Sequence, residues 1–122
     1  MTMNKILVIE DDPDIAEIIT LALAGKHLVK TTTHNEGLPK LIQEFRPDLI
    51  MIDYYIGQTK AAEIVEEIRK DAKSGCLPFI LFTGHQDIER LAYEMGASAW
   101  LAKPFNLAAL YACIDKVLLQ HA

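Results

Sequence analysis

Four short apolar runs punctuate this chain, and each ends in a polar group. Ile6-Leu7-Val8-Ile9 leads into Glu10-Asp11-Asp12, Leu49-Ile50-Met51-Ile52 into Asp53, Phe79-Ile80-Leu81-Phe82 into Thr83, and Ala99-Trp100-Leu101-Ala102 into Lys103. Such runs lack the polar alternation of a half-exposed strand, so they read as strands covered on both faces. The segments between them carry apolar residues at helical spacing. Strand and helix patterns alternate from end to end, which predicts an α/β fold built on a parallel sheet.

Each element has a local signature. The first strand runs from Lys5 to Glu10. The first helix opens at Asp12-Pro13, with Asp12 suited to the N-cap and Pro13 to the first helical position. It is expected to bury Ile15, Ile18, Ile19 and Ala22 and to stop at Gly25. A more polar second strand, Leu28 to Thr32, should lie at an edge. Asn35-Glu36-Gly37 reads as a turn and Pro39 must lie early in a helix, so the second helix starts near Leu38 and buries Leu38, Leu41, Ile42 and Phe45. The third strand is Asp48 to Asp53, and the third helix carries Ile64, Val65 and Ile68. Phe79 to Thr83 forms the fourth strand. The fourth helix carries Ile88, Leu91, Ala92 and Met95 and is capped by Gly96. After the fifth strand, Ala99 to Ala102, the last helix runs from about Leu107 to Gln120 and buries Leu107, Leu110, Ile114, Val117 and Leu118. Right-handed crossovers restrict the strand order, and the most apolar strands belong in the centre. The predicted order, counting strands along the chain, is 2-1-3-4-5, with helices on both faces.

Composition adds limits rather than detail. A length of 122 residues fits one domain, taken here as 1–122. The net charge of -5 argues against non-specific nucleic-acid binding. No apolar run approaches the length of a membrane helix, and no signal peptide is visible, so a cytoplasmic location is expected. Cys76 and Cys113 lack a Cys-x-x-Cys spacing and read as reduced thiols. His27, His34 and His121 show no ligand spacing and are expected at the surface.

In an open parallel sheet the carboxyl ends of the strands gather at one edge, where ligands bind. Glu10, Asp11 and Asp53 should therefore meet there, facing Thr83 and Lys103. Like charges that close raise one another's pKa or recruit a cation. Oxygen ligands in a half-open site favour a hard divalent ion such as Mg²⁺. One carboxylate could then serve as a nucleophile towards phosphorus, with charge on the equatorial oxygens met by Lys103 and Thr83. Taken singly, a strand-end Asp is more often a turn or cap residue. The coincidence of four strand ends carrying complementary groups favours a site, and Asp12 alone keeps the capping role.

The pieces Ile6-Leu7-Val8-Ile9-Glu10-Asp11-Asp12-Pro13, Pro47-Asp48-Leu49-Ile50-Met51-Ile52-Asp53, Thr83-Gly84, and Gly96-Ala97 leading to Lys103-Pro104-Phe105 together resemble a response regulator receiver domain of two-component signalling. This CheY-like superfamily has a flavodoxin-like fold, and the resemblance covers essentially the whole chain. It implies that Asp53 is the phospho-acceptor, that Asp11 binds Mg²⁺ directly and Glu10 through water, and that the Tyr55 carbonyl completes the metal site. It implies that Thr83 and Lys103 contact the phosphoryl group, that Trp100 occupies an aromatic switch position where Tyr or Phe is commoner, and that Lys103-Pro104 is cis. Tyr55 and His85 would flank the path of the attacking water. The implied donor is a histidine kinase or a histidine phosphotransfer protein, and the output is an unknown downstream protein, with no direct nucleic-acid or membrane partner. The chain would be a signalling phospho-acceptor that catalyses only its own phosphorylation and dephosphorylation, read as stand-alone, with a receiver cut from a longer regulator or hybrid kinase as the alternative.

Some positions depart from the family pattern. Gly57 and Ala61 stand where Pro and Gly are usual, so the loop Gly57-Gln58-Thr59-Lys60 should be looser or differently shaped. Ser98-Ala99-Trp100 lacks the acidic and aromatic pair of dimerising DNA-binding regulators. Two rivals are weaker. A haloacid-dehalogenase-type phosphatase needs a second Asp two residues past the nucleophile, where this chain has Tyr55. A flavodoxin-like cofactor binder needs a phosphate-cradling loop after the first strand, and Glu10-Asp11-Asp12 would repel a phosphate.

Overall fold

The computed structural model describes residues 3–71 and 75–121. Its elements are β1 (Lys5–Ile9), α1 (Pro13–Leu23), β2 (Leu28–Thr32), α2 (Leu38–Phe45), β3 (Leu49–Ile52), β4 (Tyr55–Ile56), β5 (Thr59–Lys60), α3 (Ala61–Arg69), β6 (Phe79–Thr83), α4 (Ile88–Met95), β7 (Ala99–Ala102) and α5 (Leu107–Gln120). The 5-stranded sheet has the order β2-β1-β3-β6-β7, and its pairings are parallel. Skipping the small β4–β5 pair, this is the order 2-1-3-4-5 expected from the sequence. It is the flavodoxin-like arrangement of CheY-like proteins.

Alternation along each strand divides the core into two layers. Leu7, Ile9, Ile50, Ile52, Phe79 and Leu81 point towards α2, α3 and α4. Ile6, Val8, Leu49, Met51, Ile80 and Phe82 point towards α1 and α5. Covered on both sides, the central strands have no polar position to offer, which is why they read as unbroken apolar runs. Each fully buried Ile or Leu contributes about 1.5–3 kcal/mol of hydrophobic free energy. Polar β2 sits at the edge, half covered.

The helix ends follow local chemistry. The Asp12 side chain accepts the Asp14 amide at 2.9 Å and Pro13 fills the first helical position of α1. Gly96 closes α4 in the left-handed region at φ 76°, where a residue with a Cβ would be strained. Asn106 caps α5 through the Ala109 amide at 2.8 Å.

Two expectations need correction. Ile18 is 58% exposed and Leu107 51% exposed, while Ala16 and Leu23 are buried in α1. Helical spacing identifies a stripe, but the direction in which α1 crosses the sheet decides which edge of that stripe is covered. His27 is not a surface residue but half-buried, and its shielded Nδ1 has no hydrogen-bond partner. Burial holds its imidazole below the ordinary pKa. Of the two expectations for the segment after Asp53, looser or differently shaped, the second holds: β4 and β5 pair antiparallel around a Gly57-Gln58 turn with Gly57 at φ 61°. Glycine as the first of two turn residues is the hairpin signal in that segment.

These placements predict unequal costs along α1. Leu23→Ala should lower unfolding free energy by about 2–4 kcal/mol through loss of buried area and a residual cavity. Ile18→Ala should change it by less than about 0.5 kcal/mol. Urea denaturation of the two variants checks this, and equal losses would contradict the observed face of the helix.

Candidate functional site

The parallel ladders carry on past the strand ends and set the site. The Asp53 amide donates to the Ile9 carbonyl at 3.2 Å, so Asp53 lies beside Glu10. The Lys103 amide donates to the Thr83 carbonyl at 2.9 Å, so those two residues are neighbours as well. The peptide between Lys103 and Pro104 is cis, as the family resemblance implies.

The side chains converge on one ammonium. Lys103 Nζ lies 2.5 Å from Glu10 Oε1 and 2.8 Å from Asp53 Oδ2. It also stands 4.9 Å from the centre of the Phe82 ring, a cation–π distance. The other Asp53 oxygen accepts the Tyr54 amide at 2.6 Å. Asp11 Oδ2 accepts the Gly57 amide at 2.9 Å, tying the turn of the hairpin to the acid cluster. Ligand oxygens of Glu10, Asp11 and Asp53 all lie within 4.8 Å of one another.

Three carboxylates thus face one ammonium. Glu10 is fully buried. Burial pushes its carboxyl up to about 7, the Asp53 charge adds to the rise, and the hydrogen bond from Lys103 opposes it. For Lys103, burial works to lower the pKa. The hydrogen bonds and charges of Asp53 and Glu10 outweigh it and hold the ammonium above its ordinary value. The donor set is all oxygen, compact and short of positive charge, which fits a hard divalent cation of the Mg²⁺ kind.

Thr83 is buried at the end of β6. Its Oγ1 accepts a long bond from the His85 amide, 3.4 Å, so the hydroxyl proton remains available for another acceptor. His85 is exposed, and its Nδ1 accepts the Asp87 amide at 3.1 Å. The two tyrosines after Asp53 differ in exposure. Tyr54 is buried, with its ring edge-on to His85 at 5.4 Å, and Tyr55 is 47% exposed at the rim. Trp100 projects from β7, 45% exposed, into a groove of about 680 Å³ against Ile88, Ala92 and Tyr93 of α4. The structure therefore brings Glu10, Asp11, Asp53 and Lys103 into contact range and sets Thr83 beside Lys103, while Trp100 lies outside that cluster on the α4 side. Two contacts escaped the sequence reading: the Gly57 amide on Asp11, and the direct Glu10–Lys103 pair. The first needed the hairpin, and the second needed the distance between β1 and β7 across the sheet.

A doubly covered parallel sheet with acids and a lysine at its carboxyl edge is the arrangement that the resemblance to a two-component receiver implies. Residues 6–115 match the profile of the response regulator receiver domain. The chain belongs to that family. It is 27% identical over 120 residues to the DNA-binding dual master transcriptional regulator RpaA of Synechocystis, a match covering 95% of this chain and 49% of that protein. It resembles a CheY-like response regulator receiver domain protein from Methanospirillum hungatei, with TM-score 0.85, 25% identity, and coverage of 98% of this chain and 97% of that one. Chemotaxis response regulator CheY4 of Vibrio cholerae gives TM-score 0.85 and 25% identity, covering 95% of this chain and 99% of that one. The chain spans about half the length of the curated relatives it matches. Among the described residues, no helix is long and apolar enough to cross a membrane.

The raised carboxyl gives a pH dependence. Glu10 has a folded pKa of about 7 against 4.5 for the free group. A carboxyl whose folded pKa is raised binds its proton more tightly in the folded state. Its contribution to stability is therefore complete below pH 4.5 and lost as pH rises through about 7. In EDTA, unfolding free energy should fall across that window, and Glu10→Gln should flatten the fall. Denaturant midpoints measured at intervals of pH read this directly; an unchanged slope in the variant would refute it.

Proposed function

We propose that this chain is a phospho-acceptor receiver unit, taken as 1–122, in which Asp53 accepts a phosphoryl group from a histidine kinase or histidine phosphotransfer protein in the cytoplasm. The observation that carries this reading is the Asp53 carboxylate at the end of central β3, held 2.8 Å from the Lys103 ammonium and beside Glu10 and Asp11. An Asp53 carboxylate oxygen forms a new P–O bond while the donor's P–N bond breaks. The imidazole leaves with the bonding pair and takes up a proton. Lys103, already on Asp53, meets a phosphoryl oxygen as negative charge shifts onto it, and the Thr83 hydroxyl donates to another. Asp11 and Asp53 would hold Mg²⁺ directly, with Glu10 acting through water and the Tyr55 carbonyl as a further ligand. The ion supplies charge neutralisation for the transferred group. With few protein ligands it binds weakly. The chemistry serves signalling: the chain turns over no external substrate beyond its own phosphorylation and dephosphorylation, and its product is a changed affinity for a downstream protein. RpaA is described as DNA-binding; the charge of -5 on the 122 residues here favours a protein as the partner of this unit.

Incubation with acetyl phosphate and Mg²⁺ should add one phosphoryl group by intact mass. Asp53→Asn and excess EDTA should each abolish the addition. Full labelling of Asp53→Asn would remove Asp53 from this role.

The output step involves Thr83 and Trp100. Drawing the Thr83 hydroxyl towards a phosphoryl oxygen shifts the start of the β6–α4 connection, and Trp100 lines a groove with α4 next to it. Backbone amide shifts on adding beryllofluoride should cluster from Thr83 to Trp100. Shifts confined to Glu10, Asp11 and Asp53 would argue against this switch.

A further inference from the structure

The hairpin that follows Asp53 carries a cation that the acceptor chemistry does not use. Tyr55 lies opposite Lys60, and Ile56 opposite Thr59. Directly opposed residues of such a pair project to the same side. Ile56 is buried, whereas Tyr55 and Lys60 are exposed, so the Tyr55–Lys60 pair faces outward. The hairpin is fastened to the acid cluster at both ends. At its turn the Gly57 amide donates to Asp11, and at its base the Ala61 amide donates to the Tyr54 carbonyl at 2.6 Å. Tyr54 in turn donates its own amide to Asp53. Lys60 thus stands across a strand pair, about 5 Å between Cα atoms, from a residue two past the acceptor.

Other cations at this edge are engaged. In this topology helices begin at the carboxyl edge of the sheet, so Lys40 and Arg90, in the first turns of α2 and α4, lie on that side. Lys40 pairs with Glu44 at 3.9 Å. Arg90 pairs with Asp87 and with Glu94, both at 3.1 Å. Lys103 is held by Glu10 and Asp53. Among the described residues, Lys60 has no ion-pair partner. The need for a free cation is plain. A phosphoryl donor is itself anionic, and it approaches a chain of charge -5 at its densest cluster of carboxylates. An ammonium on the hairpin that follows Asp53 offsets part of that repulsion, since charges act on one another over a Debye length of about 8–10 Å.

Resting on the reading of Asp53 as acceptor, the geometry points to Lys60 as a donor-capture residue: its ammonium, on the outer face of the hairpin, attracts and holds the phosphoryl group of the incoming donor before transfer. The recognised chemistry is the anionic phosphoryl group itself, whether it arrives on a small molecule or on a phosphohistidine. Lys60 is exposed and makes no side-chain cap to α3, so its substitution leaves the fold intact.

The test is the rate of Asp53 labelling as a function of donor concentration, with acetyl phosphate and with phosphoimidazole, at saturating Mg²⁺. In Lys60→Gln the half-saturating concentration should rise roughly threefold, and in Lys60→Glu roughly tenfold, with the maximal rate unchanged. Lys60→Arg should restore the wild-type value. The differences should shrink at about 0.5 M salt, where screening is nearly complete. The same pattern is expected with both donors, because the phosphoryl group is common to them. Variants that match the wild type, a loss confined to the maximal rate, a deficit indifferent to salt, or an effect with one donor only would each overturn the proposal. Wild-type protein that takes no label would overturn the acceptor reading and this proposal together. Labelled wild type with charge-indifferent variants would overturn this proposal alone.

Discussion

Parallel pairing of strands covered on both faces is the constraint on which this molecule depends. Because β1, β3, β6 and β7 all run the same way, their last residues fall along one line. The backbone ladder holds that line through Asp53 on Ile9 and Lys103 on Thr83. Side chains there cannot retreat into the core, which is apolar on both sides of the sheet. They must satisfy one another, and the buried Glu10 does so through Lys103 and the Asp12 amide.

The resulting arrangement is electrostatically unfinished. Lys103 compensates part of the charge of three carboxylates, and Glu10 responds by binding a proton more tightly than a free carboxyl does. Buried ionic clusters of this kind cost stability when they are left short of a partner. The same shortfall is what a hard divalent cation would relieve. Structure and chemistry thus pull in opposite directions at one place, as they commonly do at functional sites.

Two connections lead away from the cluster. On one side the β4–β5 hairpin is tied to Asp11 through Gly57 and to Tyr54 through Ala61, which holds it beside Asp53. On the other, Thr83 leads through His85 to α4, whose exposed Tyr93 lines the same groove as Trp100. The first borders Asp53, and the second runs from the cluster to an exposed groove on the α4 side.

Periodicity and strand-end chemistry alone determined the five βα units, the edge position of the Leu28–Thr32 strand, the caps at Asp12 and Gly96, and the meeting of Glu10, Asp11, Asp53 and Lys103. These are legible because a doubly buried strand leaves no room for polar residues except at its end, so any acid found there must lie on the functional edge. Tertiary structure alone decided that Leu23 and not Ile18 packs inward, since helical spacing does not say how α1 is turned on the sheet. Tertiary structure also shielded His27, formed the hairpin that turns Lys60 outward, and paired Glu10 with Lys103 across the sheet. Those outcomes depend on distances between segments far apart in the chain, and no local pattern of residues encodes a distance.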